Sequence, residues 1–203
     1  MVRARDPEAT RAAILEAAEE IFIAKGPGST ALSEIASQAG VTKSLIHHHF
    51  GSKEGLWREV KMRRFSAYAT GQMRMLETVP PSQELLQDSM RYYFGFLKEN
   101  PQLVRILAWI FLGPDPGECA EMDRQLMSAG VAKLKQAQEM GLLRQDVDAR
   151  FLLVVFTGLA HHWFQDSAHL LQSLDRTGLP EDVDSAYLED AMKIFFEGIL
   201  PRG

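Results

Sequence analysis

The stretch "TALSEIASQAGVTKSLIHHHFGSKEGL", residues 30–56, decides how this chain folds. Thr30 opens a helix in which Leu32, Ile35, Ala36 and Ala39 line one face at helical spacing. Gly40 stops that helix, because glycine enters the left-handed conformation without steric cost. Val41 then plugs the turn into the core, and Thr42 caps a third helix running through the histidines to Phe50. Ile46 packs inward from it. Gly51 breaks the chain, Ser52 caps, and a long fourth helix begins at Lys53. Two short helices joined by a tight glycine turn, with the small Ala36 where they approach, make a helix-turn-helix unit.

Upstream, Asp6 caps a helix with Pro7 as its first residue, and Ile14, Ala17, Ala18, Ile21 and Phe22 form its apolar stripe. Gly26-Pro27-Gly28 ends it. Downstream, the pattern predicts helices at 53–77, 83–99, 101–112, 119–140, 147–172 and 185–199, linked by "VPPS", "GPDPGE" and "LDRTGLPEDVD". Strand signals are nearly absent. The expectation is an all-α chain of about nine helices. Residues 1–52 form a three-helix helix-turn-helix module and 53–203 a larger helical domain.

Apolar residues make up 46% and charged residues 24% of the 203, the balance of a soluble globular protein. No run reaches the roughly 20 apolar residues of a membrane span, since "LVRILAWIFL" carries Arg105. The first ten residues lack the apolar region of a secretory signal, and the lone Cys119 allows no internal disulfide. A cytoplasmic location follows as the expectation. The net charge of −5 divides unevenly, with +2 over residues 1–65 and −7 over residues 66–203. The basic part is the better candidate to meet a polyanion.

His47, His48 and His49 invite a metal reading, but successive helical residues lie about 100° apart and fan around the axis. At i, i+4 spacing the available partners are Ser44, Leu45 and Gly51, none a suitable ligand. No Ser, Cys or carboxylate stands at a spacing that would make a nucleophile–base pair with them. A surface for DNA suits them better, since imidazole can donate to phosphate. If the module docks as helix-turn-helix units do, the third helix enters the major groove by its first residues. Thr42, Lys43 and Ser44 are then nearest the bases. Lys43 can reach guanine, and Leu45 can press on a thymine methyl. Thr30, His47 and Lys53 are the phosphate candidates. Each also has a plainer role, as a helix cap for Thr30, Thr42 and Ser52 or as a solvated lysine for Lys43 and Lys53. Arg3 and Arg5 either enter a minor groove or do nothing in particular.

These residues resemble the DNA-binding domain of the TetR family of bacterial repressors. Thr30, Ile35-Ala36, Ala39-Gly40-Val41, His49-Phe50, and Lys53-Glu54 with Leu56 match its pattern in order. The family often has Gly-Thr-Leu-Tyr where this chain has "SLIH" at 44–47, so Leu45 and His47 are departures. The resemblance directs His47 to the DNA backbone and His48 to the groove. It also implies a homodimer formed through the last two helices, a cavity for a small effector in the helical body, and a double-stranded DNA operator as partner.

Dimer candidates on the last two apolar helices are Phe156, Leu159, Trp163, Phe195 and Ile199, with Gly158 and Ala160 permitting close approach. Met73, Tyr93, Phe94, Trp109, Phe111 and His162 are the pocket candidates, although such side chains are more often core. The effector expected is hydrophobic or aromatic. His162 and His169 lie two turns apart, too far to share an ion. Cys119 has no adjoining basic residue to activate it. No metal and no cofactor is expected. Two other readings stay open: a DNA-binding regulator without an effector, and an enzyme using the aromatic cavity. The enzyme reading lacks any G-x-S-x-G, H-E-x-x-H, phosphate loop or C-x-x-C in the sequence.

Overall fold

The structure, a computed structural model, describes residues 6–112, 119–175 and 177–200, with the backbone alone at 119 and 120. Arg3, Arg5 and the Cys119 side chain lie outside the described residues. Nine helices and no strand occur among those described: α1 Pro7–Lys25, α2 Leu32–Ala39, α3 Lys43–Phe50, α4 Lys53–Thr78, α5 Gln83–Glu99, α6 Pro101–Leu112, α7 Cys119–Glu139, α8 Ala149–Ser173 and α9 Val183–Ile199. None is long and apolar enough to cross a membrane.

Local chemistry sets the helix ends. Asp6 accepts the Glu8 N–H at 3.0 Å and starts α1. Gly40, at φ 62°, closes α2: its N–H reaches the Ser37 carbonyl at 3.2 Å while the Val41 N–H reaches Ala36 at 2.9 Å. These are the paired bonds of a Schellman turn, which needs a left-handed residue where glycine stands. Thr42 Oγ1 accepts from Leu45 N at 3.4 Å, and Ser52 Oγ from Gly55 N at 3.0 Å. α8 and α9 begin two residues away from the expected 147 and 185 because Asp148 and Asp182 cap them. The hydrogen bonds from Arg150 and Ser185 hold those carboxyls down at about 2.

The expected cap at Thr30 is corrected. Ala31 occupies the N-cap position of α2. Thr30 is 3% exposed and its hydroxyl donates to the Gly26 carbonyl at 2.7 Å. Glu34 supplies what the alanine lacks, accepting the Ala31 N–H at 3.3 Å and the Lys25 ammonium at 2.6 Å.

The chain forms two compact units, and their border is not at residue 52. One holds residues up to Ser66 together with α6 from Arg105; the other holds Ala67–Val104 and the chain from Glu121. The first has its own core, in which Ile14, Phe22, Ile35, Ile46, Leu56 and Ile106 are fully buried. Leu56 and Val60 of α4 belong to that core, so the module needs the start of the fourth helix. It also takes in α6, where Trp109 donates to the Ile23 carbonyl at 3.3 Å and lays its ring against Gly26. Three helices alone would bury too little to stand.

The second unit packs Leu86, Met90, Leu134, Leu143, Leu152, Phe156, Met192 and Phe195 into a separate core. There Tyr187 stacks on Trp163 with centroids 4.1 Å apart, and Trp163 Nε1 donates to Asp184 at 2.8 Å.

At Gly55 a Cβ would collide with the Phe50 carbonyl oxygen, a backbone atom that cannot step aside. Gly55→Ala is expected to lower stability by roughly 1–3 kcal/mol, the usual range for forced overpacking. Urea unfolding checks it.

Candidate functional site

Two side chains fix α3. Ile46 and Phe50 are buried in the first core, while Thr42, Lys43, Ser44, Leu45, His47 and His48 are exposed. Leu45 is 38% exposed. His49 is half-buried, its ring 6.1 Å from that of Phe50. Among the described residues no cluster of three or more His, Cys, Asp or Glu could hold a metal. His47 Nδ1 lies 2.9 Å from the Gly51 carbonyl oxygen. A carbonyl only accepts, so Nδ1 is the donor in this bond.

Several cations of this unit are held by acids. Arg11 donates to Glu59 at 2.6 Å, Lys25 to Glu34, and Arg64 to the buried Glu19 at 2.7 Å. Lys53 donates to the Thr30 carbonyl at 3.2 Å, which ties the start of α4 to the start of α2. Lys43 is therefore the cation that α3 itself presents. Thr30, also expected at the phosphate, keeps its hydroxyl inside.

In the second unit, residues of α4, α5, α7 and α8 line a cavity that opens to solvent. Leucines, Met127 and Phe156 form most of its wall. Gln72 of α4 lines it and is buried, with Nε2 donating to Ser89 Oγ at 3.1 Å. Tyr68 lies at one side, where burial and then the neighbouring Tyr93 and Tyr92 push its hydroxyl well above the ordinary range.

None of the six expected pocket residues lines this cavity. Met73 is half-buried, and Tyr93 is buried against Tyr68 with ring centroids 5.0 Å apart. Phe94 packs between Phe164 and Tyr187. Trp109 belongs to the first unit, and Phe111 is 68% exposed. His162 is exposed and pairs with Asp166 at 3.0 Å. Composition marks a region rich in rings; it does not say which way each points. Gln72 escaped notice because a glutamine in a helix reads as surface. The signal was its place in the stripe Tyr68, Gln72, Leu76, where a polar residue interrupts an apolar face.

Two family models match the chain: "Bacterial regulatory proteins, tetR family" over residues 14–60, and "Tetracyclin repressor-like, C-terminal domain" over residues 89–188. The chain belongs to the TetR family. It is thus a DNA-binding transcriptional regulator and not an enzyme. It is 29% identical over 160 residues to the HTH-type transcriptional repressor SCO4008 of Streptomyces coelicolor, covering 78% of this chain and 80% of that one. Its fold matches that of the transcriptional regulator SCO4942 of Streptomyces coelicolor with a TM-score of 0.73 at 24% identity, covering 96% of this chain and 99% of that one. AibR, solved in complex with isovaleryl coenzyme A and operator DNA, matches with a TM-score of 0.71 at 19% identity over 92% of this chain and 98% of that one.

The residues expected at the dimer surface of this TetR-family chain are placed differently. Phe156, Trp163, Phe195 and Ile199 are buried within their own unit, and Leu159 is half-buried there. α8 is apolar on two faces, and periodicity alone does not tell which one turns inward. The outer stripe consists of Phe151, 66% exposed, Val154, 65% exposed, and Val155, with Gly158 one turn further on. On α9 the outward apolar residue is Ile194, 73% exposed, one turn before Gly198.

Thr30→Val keeps the shape and removes the bond to Gly26, so it should cost about 1 kcal/mol of stability. Lys43→Ala on the exposed face should change stability by less than ~0.5 kcal/mol. Paired thermal and urea unfolding of the two variants tests both.

Proposed function

We propose that this chain is a repressor that binds a palindromic operator as a homodimer and lets go when a hydrophobic or aromatic small molecule enters the cavity lined by Gln72. The observation that carries the reading is α4. One uninterrupted helix supplies Leu56 and Val60 to the core that holds α3, and Gln72 and Leu76 to the cavity wall. A ligand that prefers one placement of α4 biases the other end of the same helix. The repressor SCO4008 and the operator complex of AibR support the direction and the partner.

At the DNA, Thr42, Lys43 and Ser44 approach the base edges, Leu45 meets a thymine methyl, His48 faces the groove, and His47 and Lys53 meet phosphate. His47→Ala should weaken operator binding several-fold whatever the base sequence, since a phosphate contact positions the protein without reading bases. Fluorescence anisotropy at fixed ionic strength measures it.

The dimer would form through the outer stripes of α8 and α9. Val155→Asp with Ile194→Asp places charges on that face without touching the core. The double variant should sediment as a monomer and lose at least tenfold in operator affinity, since a single short helix per site binds weakly. For the effector, any compound that calorimetry shows to occupy the cavity must weaken operator binding. A bound compound that leaves operator affinity unchanged overturns the ligand-responsive reading.

A further inference from the structure

We infer that the molecule accepted by this cavity is an apolar body carrying one neutral hydrogen-bond donor, a hydroxyl or an amide N–H, and that Gln72 Oε1 reads the donor. The inference rests on the effector reading above and specifies its chemistry.

Gln72 is 5% exposed, and its Oε1 has no hydrogen-bond partner. A buried carbonyl without a donor is rare, because folding has removed its water and supplied nothing in return. The orientation of the amide follows from its neighbours. Ser89 Oγ points its proton at Met75 Sδ, 3.4 Å away, so the same oxygen accepts from Gln72 Nε2 at 3.1 Å. With Nε2 committed to Ser89, Oε1 is the end left unpaired. A chain of three side chains on α4 and α5 thus leaves one buried acceptor on a residue that lines the cavity.

Other polar groups on the wall also make bonds of their own. Thr157 donates to the Leu153 carbonyl at 3.0 Å, and Lys133 donates to the Val79 carbonyl at 3.0 Å. No Asp, Glu or Arg lines the cavity. An ammonium would find no acidic side chain on the wall, and a carboxylate held at the amide would set its lone pairs against Oε1 even with Lys133 elsewhere on the wall. A neutral donor meets the site without either penalty. Leu86, Leu126, Leu134 and Phe156 then enclose the apolar remainder. A site built around a donor rejects analogues that lack it more strongly than it distinguishes sizes.

The test is isothermal titration of the full-length protein and of Gln72→Met with three probes: 2-naphthol, 2-methoxynaphthalene and 2-naphthoate. Wild type should bind 2-naphthol at least tenfold tighter than the methyl ether and tighter than the carboxylate. Gln72→Met should bind the two neutral probes equally; its affinity for the ether, kept near the wild-type value, shows that the cavity is intact. The inference is overturned if wild type binds the ether as well as or better than the naphthol, if the preference survives in Gln72→Met, or if no probe binds. The effector reading fails separately, when a probe binds yet operator affinity stays the same.

Discussion

An eight-residue helix does not persist in water on its own. α3 exists because Ile46 and Phe50 are buried with Phe22, Ile35, Leu56 and Ile106, and because Gly40 brings α2 to it at a fixed angle. Everything the first unit presents follows from that burial. With Ile46 and Phe50 turned inward, helical geometry turns Lys43, Ser44, His47 and His48 outward. The outer face therefore carries neither core nor caps beyond Thr42, and its residue types are left to a partner. Arg11, Lys25 and Arg64 are tied to Glu59, Glu34 and Glu19.

Much of this was legible in the sequence, because caps and turns are local. Asp6, Gly40, Thr42 and Ser52 stop or start helices through bonds to residues two to four positions away, so their effect shows in a short window. Thr30 is the exception. It looked like a cap, but its hydroxyl bonds backwards to Gly26, and only the burial of the loop between α1 and α2 reveals that. Long-range direction was not legible at all. Trp109 closes the first unit over Gly26, eighty-six residues away from Ile23 in sequence, and no periodicity in α6 announces it. The same holds for α8, whose inward stripe of Phe156 and Trp163 and outward stripe of Phe151 and Val155 have nearly the same composition.

The helical body has a core of its own, separate from the one that holds α3. The two cores share no residue, so substitutions in the cavity wall leave the burial of Ile46 untouched. α4 is the member common to both. Its Gln72 interrupts an apolar stripe at a place where leucine would pack without an unpaired atom, a local inconsistency of the kind that marks function. Leucines, Met127 and Phe156 make up most of the wall around it.

The most direct test of the account is selection of bound duplexes from a random pool, run in parallel with wild type and Lys43→Ala. The account predicts an enriched palindrome for wild type, with half-sites about 34–36 Å apart along the duplex. Lys43→Ala, folded as stably as wild type, should lose at least tenfold in affinity for that duplex and its preference at one base pair of each half-site. A wild type that enriches no sequence would contradict the claim that the outer face of α3 reads DNA. So would an enriched site to which Lys43→Ala binds just as well.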